Sequence, residues 1–268
     1  MKSVMDSTKS KKKLNELKCT FITMKGDEPE KIDIKSSELF ENETRNNMVK
    51  WLSFLCETLN FNTQTLYRSV IIFDKFISVS DLLENEDLTQ EKMNLITIAC
   101  LSLGTKFEEV NCNYVKFFTD KVLNLPDCQI FSIKDLTSME MIILKQLNYK
   151  TIYTTSYDFL LFYIDVFKYF FNITNNLFIE NIKTLGQNII KENINKNIFL
   201  SLCQSDFAFL CLQQAFYQLG FDNFVQKIRN MLLLLLNDKN MNNDLRKNED
   251  DDNRIIFNKN TEINLMSF

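Results

Sequence analysis

The stretch from Leu95 to Glu109, LITIACLSLGTKFEE, constrains the fold more than any other part of the chain. It is apolar on nearly every face of a helix and then stops at Lys106, Phe107, Glu108 and Glu109. A helix apolar all round has to be sheathed by other helices. The chain can supply them, because 45% of its 268 residues are apolar. With only 4 Gly and 2 Pro it lacks the turn residues that β and α/β folds need at many positions. The expected fold class is all-α with short connections. Lys106 would leave the central helix at its carbonyl end, where a cation is favoured, and would be held at the surface on a rigid base. From this stretch alone, a lysine snorkelling off a core helix is the simpler account.

The same composition removes whole classes of chemistry. There is no histidine, so histidine triads and histidine metal sites are excluded. Gly26, Gly104, Gly186 and Gly220 lie far apart and form no phosphate-cradling loop. The seven cysteines include no C-x-x-C pair. Most fall in apolar runs, where cysteine acts as a small hydrophobe. No catalytic residue, metal or cofactor is expected. The net charge of −4 disfavours a nucleic-acid partner. The most apolar run, Phe159 to Phe171, is short and contains Asp165 and Lys168, so no membrane span is expected.

Residues 1–41 read as a basic tail, loosely ordered to about residue 35, with an extra N-terminal helix docked by Ile32, Ile34 and Leu39. The run Lys9 to Lys13 could serve nuclear import, although a solvated tail explains it too. Helical spacing then begins. Asn42 or Thr44 caps a helix with Met48, Trp51, Leu52, Leu55 and Leu59 inward. Thr63 caps a second, with Leu66, Val70, Phe73, Phe76 and Ile77 inward. A polar loop, Asp81 to Asp87, leads to Thr89 and the central helix. A short helix around Tyr114 to Val122 ends at the loop Asn124 to Asp127, and Ser132 opens a fifth with Ile133, Leu136, Met139, Ile143 and Leu147 inward. Tyr149 to Thr155 is a linker. A second set follows, at Ser156–Phe171, Asn176–Asn193, Phe199–Leu219 and Phe221–Asn237, one helix short of a full repeat. The expected divisions are 1–41, 42–153, 154–237 and a disordered acidic and polar tail, 238–268.

At these positions the chain resembles the cyclin family. RNNMVKWL (Arg45 to Leu52), FDKFIS (Phe73 to Ser78), ACLSLGTKFEE (Ala99 to Glu109), and Met139-Glu140 followed by ILKQLNY (Ile143 to Tyr149) look like successive signatures of the cyclin box. Thr155, Asp158, Phe159 and Leu160 resemble the entry to a second cyclin fold. The resemblance implies tandem cyclin folds, a five-helix box followed by a shorter, degenerate helical repeat. It also implies roles for five positions that the family nearly fixes. Arg45 and Asp74 would form a structural ion pair setting how the first two helices cross, since an unpaired buried charge is costly. Leu95 would be core. Lys106 and Glu140 would lie side by side and meet a cyclin-dependent kinase around its regulatory C-helix, with Phe107 and Tyr149 as apolar anchors beside them; both aromatics could equally be ordinary core. Met48 and Trp51 remain of the groove through which many cell-cycle cyclins dock substrates, while Lys50 stands where the family usually has an acid.

The function implied is a regulatory subunit, not an enzyme, that binds and activates a cyclin-dependent Ser/Thr kinase in the nucleus or cytoplasm. A pseudo-cyclin scaffold, a transcription-associated cyclin and a promoter-bound adaptor remain open alternatives. A hydrolase built on carboxylates and cysteines finds no cluster to support it, and Glu108-Glu109 reads as a solvated helix end.

Overall fold

Local capping chemistry sets most helix boundaries in the computed structural model, which describes residues 2–31, 43–80, 89–109, 118–125, 128, 130–221, 224–228 and 230. Helix α1 spans Lys2–Gly26, α2 Thr44–Thr58, α3 Thr63–Val79 and α4 Gln90–Glu108. A π-helical turn, Phe118–Val122, precedes α5, Ile133–Gln146. The chain continues through α6 Ser156–Phe171, α7 Asn176–Asn193, α8 Asn197–Ser201 and α9 Gln204–Gln218. No strand occurs among the described residues. Thr89 caps α4 by accepting from the Lys92 N–H. Ser132 and Thr155 open α5 and α6 with reciprocal capping boxes to Asp135 and Asp158, satisfying backbone donors that a helix start leaves orphaned. Helix α3 begins at Thr63 as expected, but its cap is Asn62, which accepts from Gln64 N at 3.1 Å. Helix α2 starts after Glu43 without a side-chain cap. The loop Asp81 to Asp87, the residues Ile32, Ile34, Leu39 and Asn42, the start of the helix expected from Tyr114, and the tail 238–268 lie outside the described residues.

Helix α4 is the centre of the first half, packed on α2, α3 and α5. Every residue from Ile96 to Thr105 is buried. Leu95, expected in the core, is only half-buried: the surrounding helices close around α4 one residue later, and before that point only Met93 faces inward. Gly104 sets how closely α3 and α4 approach. A Cβ there would stand 2.3 Å from Ser69 Oγ and 3.1 Å from the Thr65 carbonyl. Two helices can cross this tightly only where one offers no side chain.

The second half is built on α6, α7 and α9, which pack against one another. Gly186 of α7 lies so close to α6 that a Cβ would fall 2.9 Å from both Leu160 methyls. Two expectations are corrected here. Residues 1 to about 35 are not loose over their whole length: α1 is helical, and its Leu17 and Phe21 are buried. Phe21 stacks on Phe162 of α6 at 5.5 Å between centroids and also meets Phe159 and Tyr163. The single helix expected over Phe199–Leu219 is two, broken at Leu202 and Cys203, which are extended. The break is stabilised from afar. Glu28 accepts from the Ser205 N–H at 2.6 Å, and Gln204, freed from the preceding turn, accepts from the Ser156 N–H at the start of α6. Lys25 completes the clasp on Glu28 and on Ser205 Oγ. Residues 1–225 form one compact unit, so the boundary expected at 153/154 falls inside a single unit. The remaining unit begins at Gln226, and its described residues, 226–228 and 230, are helical.

Gly104→Ala is expected to lower the unfolding free energy by about 1–3 kcal/mol, the usual cost of overpacking a tight contact, measured by urea denaturation. Phe21→Ala removes the aromatic seat of α1. Hydrogen exchange on that variant should show α1 amides exchanging far faster while those of α4 keep their protection.

Candidate functional site

Two helices bring the candidate site together. The exit of α4 carries Lys106, and the middle of α5 carries Glu140. The Ser132–Asp135 box at the start of α5 anchors the register of that helix, and the hydroxyl and backbone N–H of Ser132 hold the Asp135 carboxyl below its ordinary range. Lys106 Nζ lies 2.6 Å from Glu140 Oε2, with the lysine side chain 37% exposed and the glutamate 7%. The other carboxylate oxygen, Oε1, accepts from Ser102 Oγ. Ser102 lies one turn before Lys106 on the same helix and was not singled out in the sequence, where it reads as part of an apolar run. The arrangement is a carboxylate sunk between helices and an ammonium leaning from it toward solvent.

Both aromatics expected beside the pair are on the surface, Phe107 at 45% exposure and Tyr149 at 63%. Tyr149 and Asn148 both have positive φ, 59° and 49°. This is rare for a bulky residue. The turn is closed by hydrogen bonds from Tyr149 N to Leu144 O and from Asn148 N to Lys145 O. The backbone geometry of this turn carries the Tyr149 ring at the surface. Ile152, three residues on, is exposed too.

Glu108 and Glu109 are not a solvated helix end. Glu108 pairs with Arg68 of α3, and Arg68 also donates to the Tyr153 carbonyl at 3.1 Å and lies over the Phe107 ring. Glu109 accepts from Asn62 N at 2.7 Å and from Thr65 Oγ1 at 2.6 Å. It serves as a remote cap on α3, and the end of α4 is pinned on both sides.

The second expected pair is also formed. Arg45 Nε and Nη2 each lie 2.7 Å from an oxygen of Asp74, and both side chains are buried. The pair reaches further than the crossing of α2 and α3. Arg45 also donates to the carbonyls of Ile194 and Asn195, at 3.1 Å and 3.0 Å, just past α7, and stands over the Phe199 ring. Of the expected groove, Met48 is buried in the core and Trp51 is half-buried. Met48 is therefore withdrawn as a groove residue: it faces inward with Val49 and Leu52. Phe54, one turn beyond Trp51, is the exposed aromatic of α2.

Among the described residues, no group of three or more His, Cys, Asp or Glu could hold a metal ion, and no helix there is long and apolar enough to cross a membrane. Burial pushes the Cys56 thiol up to about 12, and it pushes those of Cys100 and Cys211 well above the ordinary value. These cysteines stay protonated, as packing groups do. Cys112 lies outside the described residues.

Residues 18–152, just over half of the chain, match the family model "Cyclin, N-terminal domain". The chain belongs to the cyclin family. It is similar to Cyclin-D2-2 of Oryza sativa subsp. japonica, 28% identical over 130 residues that cover 46% of this chain and 33% of the relative. It is also similar to the G2/mitotic-specific cyclin-A of Hydra viridissima, 31% identical over 117 residues that cover 44% of this chain and 25% of that one. The matched region thus spans a third or less of these relatives' length. The fold is similar to the X-ray structure of a viral cyclin from herpesvirus saimiri, with a TM-score of 0.56 at 20% identity, covering 83% of this chain and 94% of that one. The all-α, cyclin-type fold class is therefore the observed one.

Replacing Asp74 by Ala should cost about 3–5 kcal/mol, because it leaves a buried guanidinium without its carboxylate. Denaturant unfolding measures it. Replacing Arg45 and Asp74 together by Met and Leu should cost less than the single change, since no charge is then stranded.

Proposed function

We propose that this chain is a regulatory subunit that binds and activates a cyclin-dependent Ser/Thr protein kinase, in cell-cycle control, through the face carrying Lys106, Glu140, Phe107 and Tyr149. The observation that carries this reading is the closed Lys106–Glu140 pair at a rigid helix end of a cyclin-family box, with both aromatics exposed. The similarity to the G2/mitotic-specific cyclin-A of Hydra viridissima supports the cell-cycle setting.

The mechanism requires no catalytic group on this chain. A protein kinase places ATP phosphates with a lysine whose partner glutamate comes from its mobile C-helix. A protein that binds only the inward position of that helix shifts the kinase population toward the active state by its differential affinity. The pair supplies charge-assisted hydrogen bonds to polar groups around the helix, and Phe107 and Tyr149 supply buried apolar area at the centre of the contact. The ends of α4 and α5 are pinned before binding, so little ordering cost remains to be met on association.

Affinity purification from the native cell should recover a kinase with the wild-type chain. That kinase should phosphorylate histone when wild type is added and should not when Lys106→Glu/Glu140→Lys is added. Tyr149→Ala and Phe107→Ala alter exposed side chains and should weaken binding by about 1–2 kcal/mol each, as interface aromatics do, with the fold intact by circular dichroism. Recovery of partners without any kinase would replace this reading with that of a scaffold. Undiminished activation by the reversed pair would remove the face.

A further inference from the structure

Ser102 is wholly buried inside α4, flanked by Leu101 and Leu103. A buried hydroxyl is unfavourable unless it is hydrogen-bonded, and this one donates to Glu140 Oε1. Residues four apart share one face of a helix. Ser102 and Lys106 therefore approach Glu140 from the same side and divide its carboxylate, the hydroxyl on Oε1 and the ammonium on Oε2. A glutamate carboxylate rotates easily about its last torsion. Two donors from one rigid helix remove that freedom, and a single ammonium on a flexible stem cannot.

We propose that Ser102 is a positioning residue of the kinase-facing site: it locks the Glu140 carboxylate and, through it, the direction in which Lys106 points. The proposal rests on the kinase-binding reading for its functional consequence. Its structural part stands on the free protein. Without the hydroxyl, Oε1 loses the Ser102 donor at the α4–α5 contact, and the carboxylate that Lys106 meets loses one of its restraints. The Thr105 hydroxyl donates to the Ser102 carbonyl at 2.8 Å and does not take over the role. Lys106 would then be held less firmly in one direction, and the partner would meet a less ordered ammonium.

The test compares Ser102→Ala with Ser69→Ala. Ser69 is an equally buried serine whose hydroxyl bonds its own helix, to Thr65 O, so it controls for loss of a buried hydroxyl. In protein with labelled lysine side chains, NMR relaxation at the Lys106 Cε should show greater mobility in Ser102→Ala and no change in Ser69→Ala. Affinity for the kinase recovered with the wild-type chain should fall about tenfold in Ser102→Ala, equal to about 1.4 kcal/mol. That loss should vanish in a Glu140→Gln background. An unchanged Lys106 signal in Ser102→Ala overturns the proposal. So does a more mobile Lys106 with unchanged affinity while Lys106→Glu/Glu140→Lys abolishes binding, and so does an equal loss of affinity in the Ser69 control. If the reversed pair binds as well as wild type, the kinase-facing reading falls and takes the functional part of the proposal with it.

Discussion

The rest of the molecule depends on how Arg45 is satisfied. A guanidinium placed in the interior must find acceptors for its fixed fork of donors, or the fold loses several kcal/mol. Here Asp74 takes the bidentate edge, and the carbonyls of Ile194 and Asn195 take the rest. Those carbonyls lie at the C-terminal end of α7, the partly negative end of a helix dipole, where a cation is favoured. One side chain therefore sets the crossing of α2 on α3 and also caps a helix of the second repeat. The two repeats cannot separate without exposing an ion pair on one side and unsatisfied carbonyls on the other. The Arg45 network is one of the contacts that join the two patterns of the sequence within one compact unit.

The same logic of pinned ends governs the candidate site. Helix α4 delivers Lys106 to the surface, and its last residues are held by Arg68 and by the start of α3. Helix α5 delivers Glu140 and then turns through two left-handed residues that swing Tyr149 outward. Such conformations persist only when the surroundings over-determine them. The polar pair and the two aromatics are thus carried on backbone that is already fixed. The candidate face therefore lies on the rigid rim of the core, not on a loop attached to it.

What the sequence made legible follows from the range of the interactions involved. Thr89 and Ser132 could be read as helix starts because a cap is a contact between neighbours in the chain. Lys106, Glu140, Arg45 and Asp74 could be singled out because the family signatures lie in order along the first box. Contacts made at a distance were not legible. Leu95 and Met48 have the residue type of either a core or a rim, and only the closing of other helices around them decides which. The break between α8 and α9 carries no proline or glycine; it exists because Glu28 and Gln204 satisfy groups far along the chain. The docking of α1 depends on aromatic rings of α6, while the lysine-rich composition of its first residues points toward solvent. Ser102 was hidden because a serine inside an apolar run has no local mark of the carboxylate it serves.

Glu28 and Ser205 are 177 residues apart, yet one supplies the cap that lets the other's helix begin. During synthesis Glu28, two residues past α1, emerges long before α9, so its carboxylate is made well ahead of its partner. The bundle of α6, α7 and α9 is therefore completed by a residue from the opposite end of the body. A contact of such long sequence separation adds to the loop-closure cost that folding has to meet, and it ties the cover over the aromatic rings of α6 to the far end of the body.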